Sequence, residues 1–205
     1  MVCTSERQCV MDMRATMKQW AKDERADAAA RSARNHDGAY LRLGINLGYA
    51  IDSAKLGSFE TKSHGLGFGL DFAFGVTGGP LTSGFEFLFV GLSSPSTTQN
   101  GIGLKGNHSD FYSLGGFLLD LYPDPHRGLH FTTTIGFGSA DINPHDNEST
   151  STGFGLLFGG GYDAWVSDTW SLGLMGRVLY IGGATESFGS HHTWIPLLTA
   201  SALWN

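Results

Sequence analysis

The amino-acid sequence predicts an all-β protein, an eight-stranded, up-and-down, antiparallel transmembrane β-barrel that follows a charged N-terminal segment, helical or disordered. From Tyr40 to Trp204, segments of about ten residues alternate large apolar side chains with glycine or polar residues. The connections between these segments alternate between short turns and longer polar loops. Because successive side chains of a strand point to opposite faces, one face of each segment is a wall of hydrocarbon.

Composition changes sharply between residues 1–37, the N-terminal segment, and residues 38–205, the barrel. All 30 glycines follow Asp37. The first part holds seven Lys/Arg and six Asp/Glu and the second holds six and thirteen, so their net charges are +1 and −7. Residues 11–34 lack Gly and Pro and carry apolar residues at helical spacing, which predicts a charged helix. A disordered lead-in to the barrel is the alternative.

Eight strands follow in order, and the connections between them differ systematically in length. The predicted strands span residues 39–52, 62–76, 81–92, 107–121, 129–140, 151–166, 169–182 and 192–204. Short turns rich in turn-forming residues are predicted at residues 77–80, 122–128 and 167–168. Longer polar loops are predicted at residues 53–61, 93–106, 141–150 and 183–191. This alternation places all long loops at one end of the sheet, as in outer-membrane barrels.

The first strand shows which face of the sheet meets lipid. Its apolar residues from Leu41 to Ile51 share one parity, and the other parity carries small residues with Arg42 and Asn46. A soluble, ligand-binding barrel would need a richly charged outer face and a bulky inner one. The pattern therefore favours a membrane barrel with the bulky parity toward lipid.

Aromatic residues give an independent indication, because Trp and Tyr are enriched at both membrane interfaces of such barrels. We expect one belt near the short-turn end and another near the long-loop end. The first comprises Tyr40, Tyr122, Trp165, Trp170 and Trp204, and the second comprises Tyr49, Tyr180 and Trp194.

Charged residues of the opposite parity are predicted to form an ionic network in the lumen. An eight-stranded barrel has room inside only for packed side chains or one small ligand. A buried, unpaired charge costs several kcal/mol, so we expect these residues to pair in two layers, with an ion pair between Arg177 and Glu86. The network comprises Arg42, Asp71, Glu86, Asp120, Asp163 and Arg177.

Sites for other chemistry are weak. His108, His191 and His192 are the candidates for a transition-metal site at the long-loop end, but loop histidines are commonly just solvated, and no cofactor is predicted. In His108-Ser109-Asp110, the serine of an extended strand points away from both neighbours, so no catalytic relay forms. The acidic barrel has no electrostatic footprint for nucleic acid. We therefore predict no enzymatic activity.

The segments His36–Tyr49, Gly161–Gly173 and Trp194–Trp204 resemble the small outer-membrane β-barrels of the OmpA/OmpX-like type, particularly uncharacterised barrels of myxobacterial envelopes. The resemblance covers residues 36–205. It implies a monomer in the outer membrane of a Gram-negative bacterium, in contact with outer-membrane lipid and lipopolysaccharide. Residues 1–37 contain no apolar stretch typical of an export signal.

The sequence thus predicts an integral outer-membrane barrel with a structural or surface-interaction role and a lumen plugged by polar side chains. Three alternatives stay open: a narrow gated pore, a rim-located enzyme that modifies lipid, and a soluble ligand-binding barrel. The polar loop tips at residues 93–100 and 146–152 are where an extracellular partner would bind, and such loops also occur without any partner.

Overall fold

The computed structural model describes residues 16–25, 37–56, 59–93, 95–104, 109–142, 149–184 and 189–205. The chain divides into two compact units, Met1–Asn35 and His36–Asn205. In the first unit, residues 16–25 form helix α1, which exposes all its side chains, including Met17 and Trp20. Within the described part of the chain, no helix is long and apolar enough to cross a membrane.

The second unit consists of β-strands, and eight of its ten strands close a barrel. The strands are β1 (Gly38–Leu56), β2 (Phe59–Gly78), β3 (Leu81–Ser93), β4 (Ser96–Gln99), β5 (Ile102–Leu104), β6 (Ser109–Leu121), β7 (Leu129–Ile142), β8 (Ser149–Trp165), β9 (Trp170–Ala184) and β10 (Ser190–Trp204). Antiparallel pairs run in the order β1-β2-β3-β6-β7-β8-β9-β10, and β10 pairs back onto β1. The predicted eight-stranded, up-and-down barrel is confirmed.

Two of the predicted long loops are largely strand. β1 and β2 continue through residues 53–61, so only residues 57–58 lie between them. Residues 93–106 contain the β4–β5 hairpin, and β4 extends the sheet by pairing with residues 61–64 of β2. Hydrogen bonds between strands sustain these extensions without an apolar face, whereas a sequence pattern detects a strand chiefly by its apolar face.

The β4–β5 turn has the backbone that a tight hairpin needs. Asn100 and Gly101 have φ angles of 49° and 80°. Positive φ at both central residues is typical of a type I′ turn, for which Asn-Gly is a preferred sequence. The hairpin therefore follows from local chemistry that the prediction of a plain polar loop overlooked.

The outer wall of the barrel is covered by large apolar side chains. Phe68 is 73% exposed and Phe137 is 78% exposed, and every one of the eight barrel strands exposes at least one such side chain. Soluble monomers rarely expose apolar patches larger than a few hundred Å². The bulky parity faces outward, which argues against a soluble ligand-binding barrel.

Candidate functional site: the barrel lumen

The six charged residues of the predicted network all lie inside the barrel. They project from six different strands, at inward-facing positions between outward-facing apolar neighbours. Each is at most 3% exposed. The buried side chains are Arg42, Asp71, Glu86, Asp120, Asp163 and Arg177.

Glu86 lies between the two arginines and binds both. Its Oε1 accepts a hydrogen bond from Nη2 of Arg42 at 2.8 Å and another from Nη1 of Arg177. Its Oε2 accepts a hydrogen bond from Oγ1 of Thr134. Three donors thus surround one carboxylate, two of them from charged groups, which is the strong kind of hydrogen bond.

Asp71 is the second carboxylate shared by both arginines. Nη2 of Arg177 lies 2.7 Å from Oδ2 of Asp71, and Nε of Arg42 lies 3.6 Å from Oδ1. Asn46 completes this side, because its Nδ2 donates to Asp71 at 2.9 Å and its Oδ1 accepts from Arg177 at 2.8 Å. The sequence prediction left Asn46 out of the network, although the residue has the same parity on β1 as Arg42.

A third group of polar residues lies toward the short-turn end. Nδ1 of His130 lies 2.8 Å from Oδ1 of Asp120, and its Nε2 lies 3.8 Å from Oδ2 of Asp163. Tyr122 donates to Asp163 at 2.8 Å and stacks on His130, with 5.0 Å between ring centroids. The prediction missed His130, and a protonated imidazole there would add positive charge between two carboxylates.

These groups form one continuous network, whereas the sequence predicted two separate layers. Arg42 joins them, since its Nη1 lies 3.4 Å from Asp120 while its Nη2 binds Glu86. A long guanidinium side chain spans more than one level of the barrel, and counting residues along strands locates only the Cα atoms. The lumen therefore holds its charges as a single coupled cluster.

Two glycines make room for the carboxylates. Gly44 pairs with Asp71 across β1 and β2, and Gly173 pairs with Asp163 across β8 and β9. A Cβ atom at either glycine would overlap the carboxylate of its partner. The absence of a side chain at these two positions lets the carboxylates turn toward the neighbouring strand.

Tyr40 and Tyr122 were wrongly predicted as members of the aromatic belt. Both are buried inside the barrel, where Tyr40 donates to Asp120 at 3.3 Å and Tyr122 donates to Asp163. They were assigned by nearness to strand ends, but Tyr40 has the inward parity of Arg42. Burial raises the pKa of the Tyr122 phenol well above its usual value, and nearby carboxylates act in the same direction, so the hydroxyl stays a donor.

The other six belt residues are at least partly exposed on the barrel. Trp170 and Trp204 are paired partners at the short-turn end. Tyr180 and Trp194 are in ring contact near the long-loop end, with 4.6 Å between centroids. The exposed or partly exposed residues are Tyr49, Trp165, Trp170, Tyr180, Trp194 and Trp204.

An apolar layer fills the lumen between the ionic network and the long-loop end. The prediction of a lumen plugged by polar side chains alone missed this layer, because it extended the glycine-rich inner face of β2 to the other strands. The signal was present in β3, where Leu88, Val90 and Leu92 are apolar on the inward parity. The layer comprises Ala50, Leu88, Val90, Leu92, Tyr112, Leu114, Ala140, Leu157, Leu179, Ile181, Ile195 and Leu197.

A second polar cluster lies beyond the apolar layer, at the long-loop end. Oδ2 of Asp52 accepts hydrogen bonds from Tyr112 at 3.2 Å and Thr193 at 3.1 Å, and Nε2 of His191 lies 2.8 Å from the same atom. His191 is only 1% exposed. The interior is therefore polar at both ends and apolar between them.

The predicted metal ligands do not come together. His191 faces inward toward Asp52, while His192 is exposed with its Nδ1 2.9 Å from the hydroxyl of Tyr180. His108 lies outside the described residues. Among the residues that the structure describes, no group of three His, Cys, Asp or Glu side chains is arranged to hold a metal ion.

Comparison with known proteins supports the architecture alone. No family model and no curated protein matches this chain. Neisserial surface protein A is similar in structure, with a TM-score of 0.51 and 16% identity over 82% of this chain and 99% of that one. The outer membrane protein OprG from Pseudomonas aeruginosa has a TM-score of 0.51 and 12% identity over 84% and 97%. The chain has the fold of the small outer-membrane β-barrels.

Proposed function

We propose that this protein is an integral outer-membrane barrel with a structural or surface-interaction role and a lumen closed to diffusion. The apolar outer wall and the exposed aromatic residues near both ends support the membrane location. The ring of eight paired strands leaves no free edge within the barrel, which supports a monomer.

The apolar layer is the observation that carries the closed lumen. Its residues reach from seven of the eight barrel strands into the interior, and each is at most 4% exposed. An ion that crossed it would lose its water without gaining polar partners, and removing an ion from water costs several kcal/mol even after relaxation. Apolar constrictions close channels for the same reason.

The ionic network stabilises this closed state from below. Both arginines hold two carboxylates each, so their side chains are tied across the lumen between β1, β2, β3 and β9. A narrow gated pore is the alternative, and it requires that the apolar layer and these ion pairs separate together. We infer that the barrel serves as a scaffold for its loops rather than as a passage.

Planar-bilayer recordings test the closed lumen directly. The wild-type barrel, inserted at single-molecule density in 1 M salt, is expected to add no current steps above the bare bilayer. Reproducible steps from wild-type protein would establish the pore instead. Heat-dependent gel mobility of the same sample verifies that the inserted protein is folded.

We also propose that the barrel does not modify lipid. Ser109 is exposed and Asp110 is buried, so the two residues point to opposite faces of β6. Incubation with lipopolysaccharide, followed by mass spectrometry of its lipid A, is expected to show unchanged acyl chains. Loss or gain of an acyl chain in proportion to enzyme concentration would revive the enzyme.

A further inference from the structure

The outer wall formed by β10, β1 and β2 carries positive charge near the long-loop end. The Nζ atoms of Lys55 and Lys62 lie 3.6 Å and 3.4 Å from the same Oε1 of Glu60. Glu60 is the only outward-facing carboxylate on these three strands, and both lysines are 59% exposed. We call these three residues the basic patch, which keeps a positive charge and free ammonium donors.

A groove lies on the same wall, on the side of the basic patch that faces the short-turn end. It has a volume of about 790 Å³ and continues into a second depression of about 630 Å³ that shares four of its lining residues. The shared residues are Ile45, Leu70, Phe89 and Ala200. Ala200 and Ala202 on β10 are small, and they lie between larger residues of β9 and β1. We call the two depressions together the wall groove.

Aromatic side chains separate the basic patch from the wall groove. On β1, Tyr49 lies between Leu47 of the groove and Lys55 of the patch. On β10, Trp194 lies on the patch side of Leu198 and pairs with Ile51 of β1. Such aromatic rings occupy the level of lipid head groups in membrane barrels. The basic patch is therefore at or beyond the head groups, and the wall groove is at the level of the acyl chains.

We propose that this wall binds a phosphate-bearing lipid of the membrane, with its phosphate at Lys55 and Lys62 and an acyl chain in the wall groove. Lysine binds phosphate as a compact positive charge, and two lysines that share one carboxylate retain donors for it. This site rests on the membrane location proposed above, and it makes lipid contact specific at one side of the barrel.

The test compares two lipids that differ only in phosphate. Native mass spectrometry of the full chain in detergent measures binding of diphosphoryl lipid A and of the same lipid after enzymatic removal of both phosphates. The wild type is expected to prefer the phosphorylated form. The double substitution Lys55→Gln and Lys62→Gln is expected to weaken only that form, by about fivefold per lysine. Arg127→Gln, at the exposed short turn, is the matched control and should change neither.

A second variant tests the wall groove. Ala200→Phe is expected to weaken both lipids severalfold by filling the groove, whereas Ile135→Phe on β7, opposite β1, should leave both unchanged. Equal binding of the two lipids, or displacement of lipid by millimolar inorganic phosphate, would overturn the site. A barrel that fails to enter vesicles overturns the membrane location as well, whereas one that enters but does not distinguish the lipids overturns the lipid site alone.

Discussion

Arg177→Met is the most direct test of the lumen network. The substitution retains much of the side-chain volume and removes the guanidinium that binds Glu86, Asp71, Asn46 and Thr199. Four buried acceptors then lose a charged donor, and removing one partner of a buried ion pair typically costs about 3–5 kcal/mol. We expect the free energy of unfolding to fall by about 4 kcal/mol, because Arg42 still holds both carboxylates.

Urea titration of the barrel, refolded into phosphatidylcholine vesicles, measures this change through tryptophan fluorescence and gel mobility. Arg127→Met is the control, since Arg127 pairs with Asp124 at an exposed turn and its ion pair should contribute less than about 1 kcal/mol. Glu86→Gln should be milder than Arg177→Met, because three other carboxylates remain for the two arginines. An Arg177→Met barrel within 1 kcal/mol of wild type would refute the coupled network.

Three further predictions address the other features of the barrel. Leu88→Ser combined with Leu157→Ser should admit water to the apolar layer and produce current steps in bilayers where the wild type shows none; continued silence would mean that the seal lies elsewhere. Tyr122→Phe leaves Asp163 without its hydroxyl donor and should lower the free energy of unfolding by about 1–3 kcal/mol in the same urea assay, and an unchanged midpoint would count against that bond. Gly101→Val places a β-branched residue at positive φ, so amide exchange should quicken in β4 and β5 but not in the barrel strands; equal protection in both proteins would contradict the turn geometry.

Sequence parity predicted the lipid-facing wall and the inward charges because one physical rule governs both. Lipid excludes polar groups along the whole outer wall, so an error of one residue in register would turn Arg42 or Arg177 into hydrocarbon. The rule is repeated on every strand, and it therefore shows in a single sequence. Pairing inside the lumen has no such repetition, which is why His130 and Asn46 were missed.

Two other misses have different physical causes. Tyr40 and Tyr122 were placed by their distance from strand ends, although a tyrosine can satisfy its hydroxyl on a lumen carboxylate as well as at an interface. The apolar layer was missed because leucine inside a barrel and leucine against lipid have the same local sequence preference. Which of two apolar parities turns inward on β3 depends on pairing with β2 and β6, which no single strand encodes.

The apolar layer also divides the interior into two halves that communicate with different compartments. Protons that arrive from the long-loop side reach Asp52 and His191, whereas His130 and Asp163 are reached from the short-turn side. Acidifying one side of a vesicle should therefore protonate one cluster and leave the other in its original state. The barrel would then sense the outside medium and the space behind the membrane separately, with each imidazole reporting on its own side.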